Sequence, residues 1–223
     1  RGAKILIDTE GNVYSLSSFK KTPEFGSGKG MGGGAASTAI QESSQSVVNA
    51  IAYNVKKGQL SEEDLTEENI KKAFKFSDIS SSLEEVLDFI KNQSSWTNTF
   101  ISTANILLSN FSNSSFQQHR GSSFVESIYE AYKIAKKEAG ISMQADKWNP
   151  SDIWMVDASI LSTQFPTDLK ELNALLVDLY AENKLIGVSL KKTGKEAKIG
   201  TYNLDEEDKE GYTYTNLDSK PTN

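Results

Sequence analysis

The sequence predicts a mixed α+β (α/β) domain, helical in its N-terminal half and ending in a small mixed sheet flanked by helices. Three observations carry that expectation. Apolar residues recur at helical spacing through residues 38–139, broken by helix-start signals. From about residue 150 the texture changes to short apolar runs, 153–156 and 185–190, with a helical stretch between them. No repeat runs through the chain, so the two textures belong to one domain and not to an array.

Taken in order, residues 4–7 and 12–16 flank Asp8-Thr9-Glu10-Gly11 and read as a β-hairpin within an N-terminal unit, 1–25. Residues 26–37 follow, with six of the 15 glycines packed into 26–34. A phosphate loop would need a Gly-Lys-Ser/Thr ending after an apolar strand. Neither is present, and a flexible linker is the better reading. A single α/β domain is expected over 38–203. Its first helix, 38–55, carries Ile40, Val47, Val48, Ile51 and Ala52 on one face, with Glu42 near its start.

Helices at 61–76 and 82–92 open on capping patterns, approximate at Ser61-Glu62-Glu63-Asp64 and complete at Ser82-Leu83-Glu84-Glu85. A buried helix follows at 96–111, then a polar loop at 110–118. A fifth helix, 123–139, ends at Gly140 as a C-cap. Strands at 153–156 and 185–190 enclose a Leu-rich helix at 167–183, and a third strand at 197–202 is hairpin-paired through Thr193-Gly194-Lys195-Glu196. Residues 204–223 form an acidic, partly disordered tail with one short strand at 212–215.

Composition removes several chemistries. The absence of cysteine excludes disulfides, thiolate zinc sites and a Cys nucleophile. One histidine, His119, rules out a multi-His zinc centre, and no Gly-x-Ser-x-Gly elbow serves a hydrolase triad. Any metal would be held by oxygen, which means magnesium, manganese or calcium. The net charge of −6 argues against coating nucleic acid by overall charge. Acid is concentrated in 62–68 and 205–208, however, and residues 184–198 hold five lysines and one acid, so a basic cleft remains open. No apolar run approaches the roughly 20 residues of a membrane span. The first residues, Arg1-Gly2-Ala3-Lys4, carry neither a Met nor a signal-peptide core, so a processed or trimmed chain without a secretory signal is expected.

Two segments place costly residues against apolar runs: Lys147-Trp148-Asn149-Pro150-Ser151-Asp152-Ile153-Trp154 and Gly187-Val188-Ser189-Leu190-Lys191-Lys192. Asp152 stands at a strand entrance, where it is either solvated or functional. On a pleated strand Ser189 and Lys191 share one face, which is either a groove or a solubilised edge. A third element, His119-Arg120-Gly121-Ser122-Ser123, sets the lone His beside the only Arg other than Arg1, just before a helix N-terminus. That position suits a phosphate. It equally suits an ion pair for Arg120, with Ser123-Phe124-Val125-Glu126 as a capping box that engages Glu126. Trp148 and Trp154 either stack on bases or pack against the sheet, and packing is the better reading.

Together these segments resemble the PD-(D/E)XK nuclease superfamily over about residues 119–203, which implies a restriction-endonuclease-like fold. In that family an Asp opening one strand and an acid-x-Lys closing another share a metal, commonly with a Glu from an upstream helix. The resemblance makes Asp152 a metal ligand, Lys191 the group that orients or deprotonates water, and Ser189 the occupant of the second acid position. The missing carboxylate would come from Glu126, favoured over Glu42, Glu196, Asp205 and Glu206. His119, Arg120 and Lys192 would hold phosphate.

Magnesium or manganese is the implied cofactor and DNA the implied partner. The pattern is also similar to uncharacterised proteins of large tailed phages, which implies phage structural proteins as further partners and a bacterial cytoplasm or a virion as the location. Two functions follow: a metal-dependent DNA nuclease or nuclease-like DNA-processing protein, or a non-catalytic virion or DNA-end-binding protein on a degenerate nuclease fold.

Overall fold

A computed structural model describes residues 5–7, 13–15, 34–113, 115–190 and 199. Residues 26–33 of the expected linker, the strand at 197–202 apart from Ile199, and the acidic tail therefore lie outside the described residues. The N-terminal hairpin pairs β1 (Ile5–Ile7) with β2 (Val13–Ser15) antiparallel, Leu6 opposite Tyr14.

Among the described residues the main body is mixed α+β, with seven α-helices and a four-stranded mixed sheet. The strands run in the order β3 (Ser77–Ile79), β4 (Phe116–Arg120), β5 (Ile153–Asp157) and β6 (Leu185–Val188). β3 is parallel to β4, while β4–β5 and β5–β6 are antiparallel. One face of the sheet is covered by α1 (Gly34–Ala50), backed by α2 (Glu67–Phe74), α3 (Leu83–Asn92) and α4 (Ser94–Asn110). The other carries α5 (Ser123–Glu138) and α7 (Leu169–Ala181), with short α6 (Ala145–Trp148) between them in sequence. Period-2 alternation divides β5 between the two cores: Met155 joins the α1 side, Trp154 and Val156 the α5–α7 side. Among the described residues, no helix is long and apolar enough to cross a membrane.

Two expectations change: α1 starts at Gly34, so residues 34–37 of the expected linker 26–37 are helical while the expected end at Val55 stands, and the helix at 61–76 is split. The single helix at 61–76 divides into a 3-10 turn, Glu62–Asp64, and α2, because Thr66 starts α2 afresh by accepting Asn69 N–H. The first helix continues past α1 as a π-turn, Ile51–Val55, and stops where Lys57 adopts φ +55°.

The larger correction concerns residues 110–118, expected as a polar loop. Residues 116–120 form β4, an inner strand of the sheet, and its Gln118 and His119 are buried. Burying such groups is costly where they lack partners, and Gln118 Nε2 and His119 Nε2 have none among the described residues. Gln118 Oε1 accepts from Asn49 Nδ2 at 3.3 Å, and Asn49 Oδ1 accepts from Gln45 Nε2 at 2.8 Å. The same Gln45 Nε2 reaches the Phe100 carbonyl at 3.0 Å, so the chain of amides ties α4, α1 and β4 together. α1 tolerates burial all round because Ser43, Ser44 and Ser46 are small, and Glu42 is its one charged residue. The short polar strand β3 was also unforeseen. It pairs through its backbone on β4, and only three residues need to do so.

Candidate functional site

The site lies where the start of β5 meets the end of β6. The register sets Ile153 opposite Val188, and Asp152 N–H donates to the Val188 carbonyl at 2.9 Å. That extends the ladder by one bond and fixes the Asp152 backbone. Its carboxylate then turns onto β6's continuation, where Oδ2 accepts Leu190 N–H at 2.5 Å and the Ser189 hydroxyl at 3.4 Å. Oδ1 accepts no hydrogen bond from the described residues. Asp152 thus caps the segment leading into Lys191, while Lys191 and Lys192 themselves lie outside the described residues.

Close packing holds the two strands together here. Gly187, opposite Trp154, lies so near Ser151 that a β-carbon on it would sit 2.1 Å from Ser151 Oγ. Ser151 is itself held by Asn149, whose Oδ1 accepts both the Ser151 N–H and the hydroxyl. This Asx turn delivers the chain from α6 into β5 with Asp152 at the sheet's edge.

The second carboxylate is Glu42, from α1. Arg120, the last residue of β4, donates Nε to Glu42 Oε2 at 2.7 Å and Nη1 to Ser80 Oγ at 2.7 Å. Burial pushes Glu42 above the usual carboxylate range against the pull of Arg120, and the negative charge of Asp152 pushes it further the same way. Burial and Arg120 dominate the Glu42 environment, and the charge of Asp152 is the smallest of the contributions. Glu126, by contrast, is exposed on the first turn of α5. The cap of that helix is Ser122, whose hydroxyl accepts Val125 N–H at 3.3 Å. The expected box on Ser123 is thus displaced by one residue and leaves Glu126 one place beyond the position that would close it.

His119 and Arg120 are separated by the pleat. Phe116, Gln118 and Arg120 meet α1, whereas His119 turns to the α5 side and packs its ring 5.7 Å from that of Phe124. Its Nδ1 lies 3.0 Å from Ser122 Oγ and 3.7 Å from Asp78 Oδ2. Both neighbours stand at the same ring nitrogen, so they cannot bracket the imidazole as a nucleophile and an orienting acid do in a hydrolase triad. Burial lowers His119 below its ordinary pKa, with Asp78 opposing, so the ring is neutral near neutrality. Gly121, at φ +62°, makes the tight turn from β4 to the Ser122 cap.

The tryptophans pack. Trp154 is 3% exposed, and Trp148 stacks on Tyr132 at 4.0 Å with its Nε1 donating to Asn173.

Among the described residues, no three His, Asp or Glu side chains gather as a metal-ligand group. Magnesium nonetheless uses one or two carboxylates and completes its shell with water and phosphate oxygens. The Oδ1 of Asp152, which accepts no hydrogen bond from the described residues, is the oxygen open to such an ion. The residues that can hold it are Asp152 and Glu42, with the Ser189 hydroxyl beside them. Asp78 and Ser80, which brace His119 and Arg120, gave no signal in sequence, since each lies in or next to a strand too short to recognise. No family model, curated protein or solved structure matches the chain.

Proposed function

We propose that the chain is a nuclease-like DNA-processing protein of the phage type, acting on phosphodiesters with Asp152 and Glu42 as its carboxylate pair. The observation that carries this reading is the junction at Asp152: its carboxylate accepts from Ser189 and Leu190, the two residues before Lys191, at the end of β6. A magnesium or manganese ion bound to the pair would polarise the phosphate and acidify a water. Asp152 also tethers the residue before Lys191, so a lysine that orients water follows directly from a fixed point. Arg120 supplies a planar fork suited to phosphate, and Lys192 adds charge. His119, being buried and neutral, positions the β4–α5 turn and does not touch phosphate.

The test is nicking of supercoiled plasmid by the full chain with magnesium or manganese. Asp152→Asn, Glu42→Gln and Lys191→Ala should each lower the rate by about a hundredfold or more, the range for lost acid–base or metal contributions. Equal nicking by all four proteins would assign the cleavage to a contaminant and end the proposal.

One observation favours a second reading. Both carboxylates already have structural partners, Arg120 on Glu42 and Leu190 N–H on Asp152, as a degenerate site would. A non-catalytic virion or DNA-end-binding protein would retain linear DNA in a gel shift, lose it with added salt, and cut nothing in either metal.

A further inference from the structure

The segment that leads into Asp152 is tied down at three points. At one end the Met143 carbonyl accepts from the Tyr132 hydroxyl at 3.0 Å and from Lys136 Nζ at 3.2 Å, both on α5. In the middle Trp148 lies flat on Tyr132, and its Nε1 donates to Asn173 Oδ1 of α7 at 2.9 Å. At the far end Asn149 N–H closes α6 on the Ala145 carbonyl at 2.8 Å, and the Tyr129 hydroxyl of α5 stands 3.5 Å from the Asn149 carbonyl. Pro150 then holds Asn149 extended, at φ −141° and ψ 104°, because a proline disfavours the helical region for the residue before it.

From that fixed backbone the Asn149 side chain reaches forward. Its Oδ1 accepts the Ser151 N–H at 3.1 Å and the Ser151 hydroxyl as well. One acceptor thus sets both the backbone direction and the rotamer of Ser151, whose hydroxyl lies against the bare side of Gly187. One peptide further on, Asp152 N–H meets the Val188 carbonyl and the carboxylate meets Leu190 N–H. A change in the direction of Ser151 is therefore passed straight to the Asp152 side chain.

We propose that Asn149 is the positioning residue of the site: its side-chain oxygen sets the direction in which Asp152 presents its carboxylate. The catalytic meaning of that role rests on the nuclease-like reading, whereas the geometry it controls is independent of any reaction. Without the acceptor, Ser151 N–H and hydroxyl turn to water, and the Asp152 carboxylate samples directions away from Leu190.

Amide hydrogen exchange of the full chain, read by NMR, separates this role from a general loss of folding. Leu190 N–H should exchange about tenfold faster in Asn149→Ala than in wild type, the size of one lost hydrogen bond. The amides of the inner strand β4 should keep their wild-type rates. Asn149→Asp keeps an oxygen that can form the same turn and should return Leu190 to within about twofold of wild type. Unchanged Leu190 exchange in Asn149→Ala overturns the proposal. So does acceleration of Leu190 and β4 together, which would make Asn149 a contributor to stability alone, and so does failure of Asn149→Asp to slow Leu190 again. In plasmid nicking, Asn149→Ala should lose about tenfold in kcat with KM unchanged, and Asn149→Asp should recover it; a loss carried by KM alone counts against positioning. Absence of nicking in wild type ends the nuclease-like reading, and the exchange rates then decide the role of Asn149 by themselves.

Discussion

Gly187→Ala tests the packing that fixes the site. The added β-carbon would stand 2.1 Å from Ser151 Oγ, 3.1 Å from Ser151 Cβ and 3.3 Å from a ring carbon of Trp154. The hydroxyl can rotate away, at the cost of its bond to Asn149 Oδ1, about 1 kcal/mol. The Cβ and ring contacts have no such escape, because Trp154 is buried and paired directly opposite Gly187. Overpacking of this kind costs about 1–3 kcal/mol, and with only tenths of an ångström to recover the lower half applies.

The sum is about 2–3 kcal/mol, or roughly 4–12 °C in melting temperature for a chain of this size. Thermal and urea denaturation of Gly187→Ala, Ser151→Ala and the double variant would measure it. The double variant lacks the hydroxyl behind the closest contact, so it should recover about half of the loss, a non-additivity diagnostic of direct contact. A single variant within about 1 °C of wild type would refute the close approach of β5 and β6 at the point that positions Asp152.

Other outcomes follow from the buried polar groups. Asn49→Ala removes the link between Gln45 and Gln118 and leaves a buried amide oxygen unpaired; it should cost about 2–3 kcal/mol in urea unfolding, and a loss under about 1 kcal/mol would contradict the network. His119 has a folded pKa held below its ordinary 6.5 by burial, so its contribution is present above that value and lost as pH falls through the folded pKa. Urea midpoints between about pH 7.5 and 5 should decline in wild type, and less steeply in His119→Gln. Glu42 works with the opposite sign: its raised pKa gives stability below 4.5 that is lost as pH rises through the folded value. The Glu42→Gln variant should therefore lose the stability that wild type gains as pH falls toward 4.5, and decline more steeply there.

The longer helices were legible because each carries its own signal, whereas the four-residue α6 is too short to show a periodicity and was missed. Ser82 caps α3 through a complete reciprocal box, and Asp64 closes the one on Ser61. β5 and β6 were legible as apolar runs, and their adjacency is what brings Asp152 to Leu190. β3 and β4 were not legible, since neither alternates in hydrophobicity. Gln117-Gln118-His119-Arg120 becomes a strand through partners far along the chain, with Gln118 and Asn49 separated by 69 positions. Local propensity cannot report a bond of that kind.

The same reason explains why Glu126 was favoured and Glu42 was not. Glu126 is near Arg120 in sequence, and Glu42 is 78 residues away. Yet the two periodicities, once aligned, make Glu42 the required partner. α1 with its π-turn runs against β4 in a matched series: Tyr53 on Phe116, Asn49 on Gln118, Glu42 on Arg120. From Asn49 to Glu42 is two helical turns, about 10.5 Å; from Gln118 to Arg120 is one strand repeat, about 6.6 Å. The difference of about 4 Å is within the reach of a glutamate and an arginine extended toward each other, but not of two shorter side chains. The buried amide pair therefore sets the register that brings a charged pair to the end of the sheet, and the neighbouring strand β5 starts at that same end, just after Asp152. A site built this way depends on Asn49 and Gln118 as much as on its own acids.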